Sequence, residues 1–162
     1  MWPSLFISHG SPMLVLQNEP ASHFLRGLIA KLPKRPRAIV VASAHWETAE
    51  PVVLATVRPQ TIHDFYGFPQ KLYEMQYPAE GLPELARLIE RTIRKTHVEM
   101  DFDWGLDHGA WSVLGQMFPK ADIPVVQLSL DLNKEPEFHY ELGMELKAVS
   151  YTHLTLPTIY SV

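Results

Sequence analysis

The sequence predicts a single α/β domain with a mostly parallel central sheet and helices on both of its faces. Two observations carry this. The apolar runs are continuous rather than alternating, as in residues 38–44 (AIVVASA) and 123–130 (IPVVQLSL), and a strand with no polar face must be covered on both sides. Between such runs lie stretches of helical periodicity, so strand and helix alternate along the chain. Its 162 residues amount to about one domain.

Each element follows in order. Residues 4–8 (SLFIS) form a short apolar run that stops at His9-Gly10-Ser11-Pro12, which reads as a strand entering a loop. Residues 20–32 place Phe24, Leu25, Leu28, Ile29 and Leu32 on one helical face, and the Pro-rich tract up to Pro36 ends it. Residues 38–44 are the second strand, ending in His45-Trp46, and 51–57 are a third. Residues 58–81 are dense in Pro, Gly and aromatics. A segment of that length without periodicity is expected to be functional, with Phe65, Tyr66, Phe68 and Tyr73 packed beside the site. Leu82, Leu85, Leu88, Ile89 and Ile93 mark a helix with Pro83 in its permissive first turn. Residues 97–102 read as a short strand, 104–109 as a loop, and Ala110, Trp111, Val113, Leu114, Met117 and Phe118 as a helical stripe. Residues 123–130 are another buried strand, and Pro136 opens a last helix with Phe138, Leu142, Leu146 and Val149 on one face.

Residues 150–162 (SYTHLTLPTIYSV) depart from this pattern, with no charged side chain and no periodicity. The expectation is a domain over 1–149 and an unrelated tail over 150–162, foreign or disordered. A terminal strand is the plainer alternative.

Composition excludes several classes of function. With 14 basic and 18 acidic residues the net charge is −4, the wrong sign for a nucleic-acid binder. Apolar residues at 46% and charged residues at 20% describe a globular chain, not a disordered one. The chain has no Cys, which removes disulfides, thiolate metal sites, Fe–S clusters and Cys nucleophiles. No run approaches the ~18 apolar residues of a membrane span, and residues 1–9 lack a signal-peptide pattern. The expected compartment is the cytoplasm.

Eight histidines remain to be explained. His9 and His45 each follow a predicted buried strand. Ligands of parallel α/β sheets bind beyond the carboxyl ends of the strands, and neutral imidazole is the commonest metal ligand. Each alone reads as a hydrogen-bonded loop histidine; as a pair they point equally to a metal site. His63 beside Asp64, and His108 beside Asp107, sit among aromatics where an imidazole suits acid–base work. Capping and core packing are the competing roles there. His23, His97 and His139 are expected to be solvated. No G-x-S-x-G elbow, G-x-G-x-x-G turn or Walker loop occurs.

Five phrases occur in order: Ile7-Ser8-His9-Gly10-Ser11-Pro12, Ser43-Ala44-His45-Trp46-Glu47-Thr48, residues 61–69 (TIHDFYGFP), residues 105–111 (GLDHGAW) and residues 123–129 (IPVVQLS). Together they resemble the class III extradiol ring-cleavage dioxygenases, in the 4,5-DOPA dioxygenase-like branch, over residues 1–148. The resemblance implies a non-haem metal enzyme that cleaves a catechol-type ring with O₂, using one Fe(II) or Zn(II) per site. It implies that His9 and His45 are metal ligands. His108 is implied as a catalytic histidine hydrogen-bonded to substrate or oxygen, and His63 as a substrate-binding residue. It also implies longer relatives that carry a further metal-ligand histidine, so the 162-residue chain is expected to be inactive or nearly so. Its expected partners are a small aromatic substrate and O₂, with neither nucleic acid nor membrane, in a monomer or small homo-oligomer. Two rival readings use the same residues: a non-catalytic zinc- or ligand-binding α/β protein, and a metal-dependent hydrolase.

Overall fold

The structure, a computed structural model, describes residues 4–32, 35–152 and 158–161. The strands are β1 (Leu5–Ile7), β2 (Ile39–Thr48), β3 (Val52–Leu54), β4 (Glu99–Asp101), β5 (Val125–Asp131) and β6 (Thr158–Ser161). The helices are α1 (Pro20–Ile29), α2 (Gln70–Tyr73), α3 (Pro83–Thr92), α4 (His108–Met117) and α5 (Pro136–Thr152), with a 3-10 turn over Pro12–Leu16. The strands form one sheet in the order β1-β6-β2-β5-β3-β4. Every pairing is parallel except β3 against β5.

Alternation along the buried strands divides the core into two layers, as the two-faced burial of such strands demands. Ile39, Val41, Leu54 and Val125 face one way and pack with Leu25 of α1 and Trp111 and Leu114 of α4. Val40, Val53, Val126 and Leu128 face the other way and meet Leu85 and Ile89 of α3 and Leu142 and Leu146 of α5. Proline opens α1 and α3 at the position where its missing N–H costs nothing. The predicted class, with helices on both faces, is the observed one.

Two differences from the sequence reading have physical causes. β2 runs past residue 44 to Thr48, so His45 lies within the strand rather than after it. Its ladder with β5 shifts there: Ala42 lies opposite Leu128 but Glu47 opposite Leu130, so five residues of β2 advance against two of β5. Such an irregularity bends a strand and re-aims its side chains. The second difference concerns residues 150–162. α5 continues through Thr152, and residues 158–161 form β6 between β1 and β2, with Ile159 opposite both Leu5 and Val41. A strand is therefore found where disorder was one expectation; residues 153–157 and 162 lie outside the described residues. Its backbone pairs with β1 on one side and β2 on the other, both parallel.

Candidate metal centre

Three segments bring imidazoles to the carboxyl end of the sheet. His9 follows β1, where Gly10 at φ 64° turns the chain into the 3-10 turn. That turn is tied to α4 because Gln116 Nε2 donates to the carbonyls of Leu14 (2.7 Å) and Val15 (3.1 Å). His45 stands at the β2 irregularity. His108 is the first residue of α4, whose N-cap is Asp107.

Although β6 separates β1 from β2, the Nε2 atoms of His9 and His45 are 2.8 Å apart. His9, His45 and His108 each offer a nitrogen, all within 4.8 Å of one another. The rings of His45 and His108 lie 3.9 Å apart between centroids, and His9 meets His108 edge-on at 5.0 Å. His9 and His108 are buried and His45 is exposed. Among the described residues this is the group able to hold a metal ion.

The donors fit a divalent metal. With metal–nitrogen bonds of about 2.1 Å, adjacent ligand nitrogens stand about 3.0 Å apart at 90° and about 3.4 Å apart in a tetrahedron. The His9–His45 separation of 2.8 Å lies near the first value. A ligand imidazole must be neutral, and His9 is: burial first, then the neighbouring His108 and His45, lower its pKa to about 4 against the opposing pull of Asp64. Its Nδ1 is buried without a hydrogen-bond partner.

Two carboxylates grip the α4 N-terminus. Asp107 is fully buried, and its Oδ1 accepts from Ser43 Oγ (2.8 Å) and from the Ala110 N–H (3.1 Å), while Oδ2 accepts from Gln127 Nε2 (2.5 Å). Burial pushes its pKa up, partly offset by the Ser43 hydrogen bond. Ser43 Oγ in turn accepts the His45 backbone N–H at 3.2 Å. One carboxylate thus connects β5 to β2 and α4, the elements that carry His45 and His108. The second carboxylate is Asp64: its Oδ1 accepts the His108 backbone N–H (3.0 Å), and its Oδ2 lies 2.9 Å from His108 Nδ1, off the axis of that N–H. Burial alone would raise the Asp64 pKa, but the contacts with the His108 side chain and backbone bring it below its ordinary value.

The aromatic segment 58–81 is ordered, as expected, and is fastened to the site. Trp111 Nε1 donates to the Ile62 carbonyl at 2.8 Å, and Thr61 bridges to Leu106. Phe65 packs 5.6 Å from the His108 ring, and 5.2 Å from both Phe68 and Tyr73. Tyr66 does not join them; it is 92% exposed. Residues 66 and 67 both face outward, and the inward places go to Phe65 and Phe68. His63 is half-buried, 5.8 Å from Phe65 and 5.7 Å from Trp111, and its Nε2 donates to the Met75 carbonyl at 3.0 Å. Phe65, which packs against both rings, stands between it and His108. His23 and His97 are exposed, whereas His139 is not simply solvated, since its Nε2 accepts the Asp131 N–H at 3.1 Å.

The sequence reading found His9, His45 and His108 but not the carboxylates behind them. Asp107 was legible in principle, as an Asp opening an apolar helical stripe. Asp64 was seen only as a neighbour of His63, and nothing local shows that it turns to a histidine 44 positions later.

Fold and site together define an α/β protein with a mostly parallel sheet and an imidazole cluster at its carboxyl edge. Residues 3–157 match the family described as the catalytic LigB subunit of aromatic ring-opening dioxygenase, and the chain belongs to that family. It is 49% identical over 148 residues to the 4,5-DOPA dioxygenase extradiol of Escherichia coli (strain K12), covering 91% of this chain and 54% of that protein. It is 45% identical to the 4,5-DOPA dioxygenase extradiol of Beta vulgaris, covering 88% of this chain and 55% of that one. The crystal structure of an uncharacterized protein from Escherichia coli K12 superposes with a TM-score of 0.80 at 38% identity, over 99% of this chain and 59% of that chain. The chain thus spans about half the length of the curated relatives it matches.

Proposed function

We propose that the protein is a non-haem, metal-dependent extradiol dioxygenase that cleaves a catechol-type ring, of the DOPA kind, with O₂. The observation that carries this is the convergence of His9, His45 and His108 within 4.8 Å, in a chain of the LigB family. His9 and His45 hold one Fe(II) or Zn(II). The ion, when bound, would supply a Lewis acid and, as Fe(II), a conduit for electrons passing from the catechol to O₂.

The chain's own residues do the rest. His108, with its Nδ1 turned to Asp64, presents its other nitrogen to the cluster and moves protons of the catechol hydroxyls. Phe65, Phe68 and Tyr73 give an aromatic wall that suits a flat ring and excludes water. His63, at the far side of that wall, binds the ring substituent. The protein is proposed to work in the cytoplasm as a monomer or small homo-oligomer; among the described residues no helix is long and apolar enough to cross a membrane. The 162-residue chain alone is proposed to bind metal but to turn over slowly, because open catalytic sites ordinarily have three protein ligands and His108 is assigned to proton transfer.

The test is anaerobic loading with Fe(II), then an oxygen-electrode assay with DOPA and 4-methylcatechol, alongside the Escherichia coli relative. One bound ion per chain, lost in His9→Ala and His45→Ala, with slow formation of a yellow ring-opened product, is the expected result. Metal binding indifferent to both substitutions overturns the site. Metal binding without any catechol-dependent oxygen uptake, even in a chain extended to the relatives' length, leaves a zinc-binding protein. Hydrolysis of esters or amides without oxygen uptake makes it a hydrolase. Turnover equal to the relative's refutes the assignment of slow activity.

A further inference from the structure

We infer that Asp64 is a positioning residue that fixes the tautomer of His108 and docks the aromatic segment 58–81 onto α4; the catalytic use of that tautomer rests on the reading above. A buried imidazole with an unguided proton can carry it on either nitrogen, and only one choice leaves Nε2 with a free lone pair. Asp64 removes the ambiguity. Its Oδ1 is anchored by the His108 backbone N–H at 3.0 Å, so the carboxylate cannot swing away, and Oδ2 is held 2.9 Å from Nδ1. An ionised carboxylate accepts and does not donate, so the proton stays on Nδ1 and the lone pair is on Nε2. The contact is bent from the N–H axis, which marks it as an electrostatic guide rather than an optimal hydrogen bond.

The same two contacts hold a loop. Asp64 lies between His63, which donates to the Met75 carbonyl, and Phe65, whose ring packs 5.6 Å from that of His108. Orienting the imidazole and seating the aromatic wall are therefore one event. His63, adjacent in sequence, is not the partner: its ring packs against Phe65, Tyr73 and Trp111, and its Nε2 is occupied by backbone.

Asp64→Asn separates these roles. It is isosteric and keeps an oxygen for the His108 backbone N–H, but it turns an NH₂ toward Nδ1, which must then accept. Histidine ring ¹⁵N–¹H correlation spectra of the metal-free 162-residue chain, at pH 8 where a free imidazole is neutral, read the tautomer directly. We expect His108, assigned by its loss in His108→Gln, as the Nδ1–H form in the parent chain and as the Nε2–H form in Asp64→Asn. Zinc affinity, measured by chelator competition, should change by less than about threefold, since His9 and His45 are untouched. In the Fe(II)-loaded protein kcat should fall about 10²-fold, within the range for loss of a positioned acid–base group, with KM little changed. Asp64→Glu, able to restore an acceptor, should recover the Nδ1–H form.

An Nε2–H tautomer in the parent chain, or the same tautomer in parent and Asp64→Asn, overturns the inference. A tautomer that switches as expected while neither chain consumes oxygen supports the positioning role and counts instead against the dioxygenase reading. Should Asp64→Asn lose its fold, shown by collapsed spectral dispersion, the Asp64→Glu spectrum decides: Nδ1–H supports the inference and Nε2–H refutes it.

Discussion

Gly109 is the position where a single added methyl group tests the geometry of the candidate metal centre. It is the second residue of α4, and a Cβ there would stand 2.7 Å from Ser43 Oγ, 2.8 Å from His45 Cδ2 and 3.2 Å from Asp107 Oδ1. These contacts fall well inside the optimal ~3.5–4.0 Å separation of non-bonded carbon atoms. Two of the three neighbours cannot yield, because Ser43 and Asp107 are fully buried and bonded to each other. The His45 ring is exposed and can move. Relief in Gly109→Ala therefore drives His45 away from α4 and alters its 2.8 Å approach to His9. In a helix Ala is favoured over Gly by at most about 1 kcal/mol, while overpacking costs about 1–3 kcal/mol. The net expectation is destabilisation by about 1 kcal/mol, or about 2–4 °C in Tm for a domain of this size. Metal affinity should fall further, by about 10–100-fold, the range for disturbed support of a ligand. Urea denaturation and zinc competition titration measure the two effects separately. A variant about 1 kcal/mol more stable than the parent, with unchanged zinc affinity, would refute the close packing of β2 against α4.

Other outcomes follow from the same structure. His9→Ala and His45→Ala should each lower zinc affinity at least about 100-fold, with little further loss in the double variant, because one remaining imidazole does not chelate. His108→Gln should hold affinity within about tenfold while abolishing catechol-dependent oxygen uptake; affinity falling as far as in His9→Ala would make His108 a third ligand instead. Tyr77→Phe removes the hydrogen bond from its buried hydroxyl to the Phe118 carbonyl (3.1 Å) and should cost about 1 kcal/mol in urea denaturation. Burial, and then the charge of Asp122, raise the Tyr77 pKa well above its ordinary 10.0. The neutral phenol is therefore the folded form, and its stability contribution is complete below about pH 10 and declines as pH rises further. The parent should lose stability more steeply than Tyr77→Phe above about pH 10, and parallel curves there would count against it.

The parts of the fold visible in the sequence were those set by local pattern. Ile39 to Ala42 and Val125 to Leu128 announce themselves because a strand covered on both faces has no polar alternation to confuse with anything else. Trp111 and Leu114 likewise mark α4. What was hidden depends on distance along the chain. The shift between Ala42 and Glu47 arises only when β2 meets β5, so no reading of residues 42–47 alone could show His45 inside a bent strand. Strand order was hidden for the same reason: β1 and β2 are consecutive strands yet are separated by β6. In the site, the imidazoles were visible because His9 and His45 each close an apolar run and His108 opens a helical stripe. The carboxylates were ambiguous, since Asp64 beside His63 and Asp107 beside His108 look alike in sequence and do different things in space.

That difference explains how the centre is assembled. Asp107 faces inward with no solvent contact, and its oxygens are satisfied because Ser43, Gln127 and the Ala110 N–H all donate to it as it caps the N-terminus of α4. Such a group fixes β2, β5 and α4 relative to one another and takes no part in exchange with a ligand. Asp64 faces the imidazole from the loop side, is partly open to solvent and has one ring nitrogen and one backbone N–H as its partners. The inner carboxylate sets where His45 and His108 stand; the outer one sets which way His108 presents its proton and how closely Phe65 approaches. Replacing the inner one should damage folding before chemistry, and replacing the outer one chemistry before folding. An Asp107→Asn chain as stable as the parent, or an Asp64→Asn chain as destabilised as Asp107→Ala, would reverse that division.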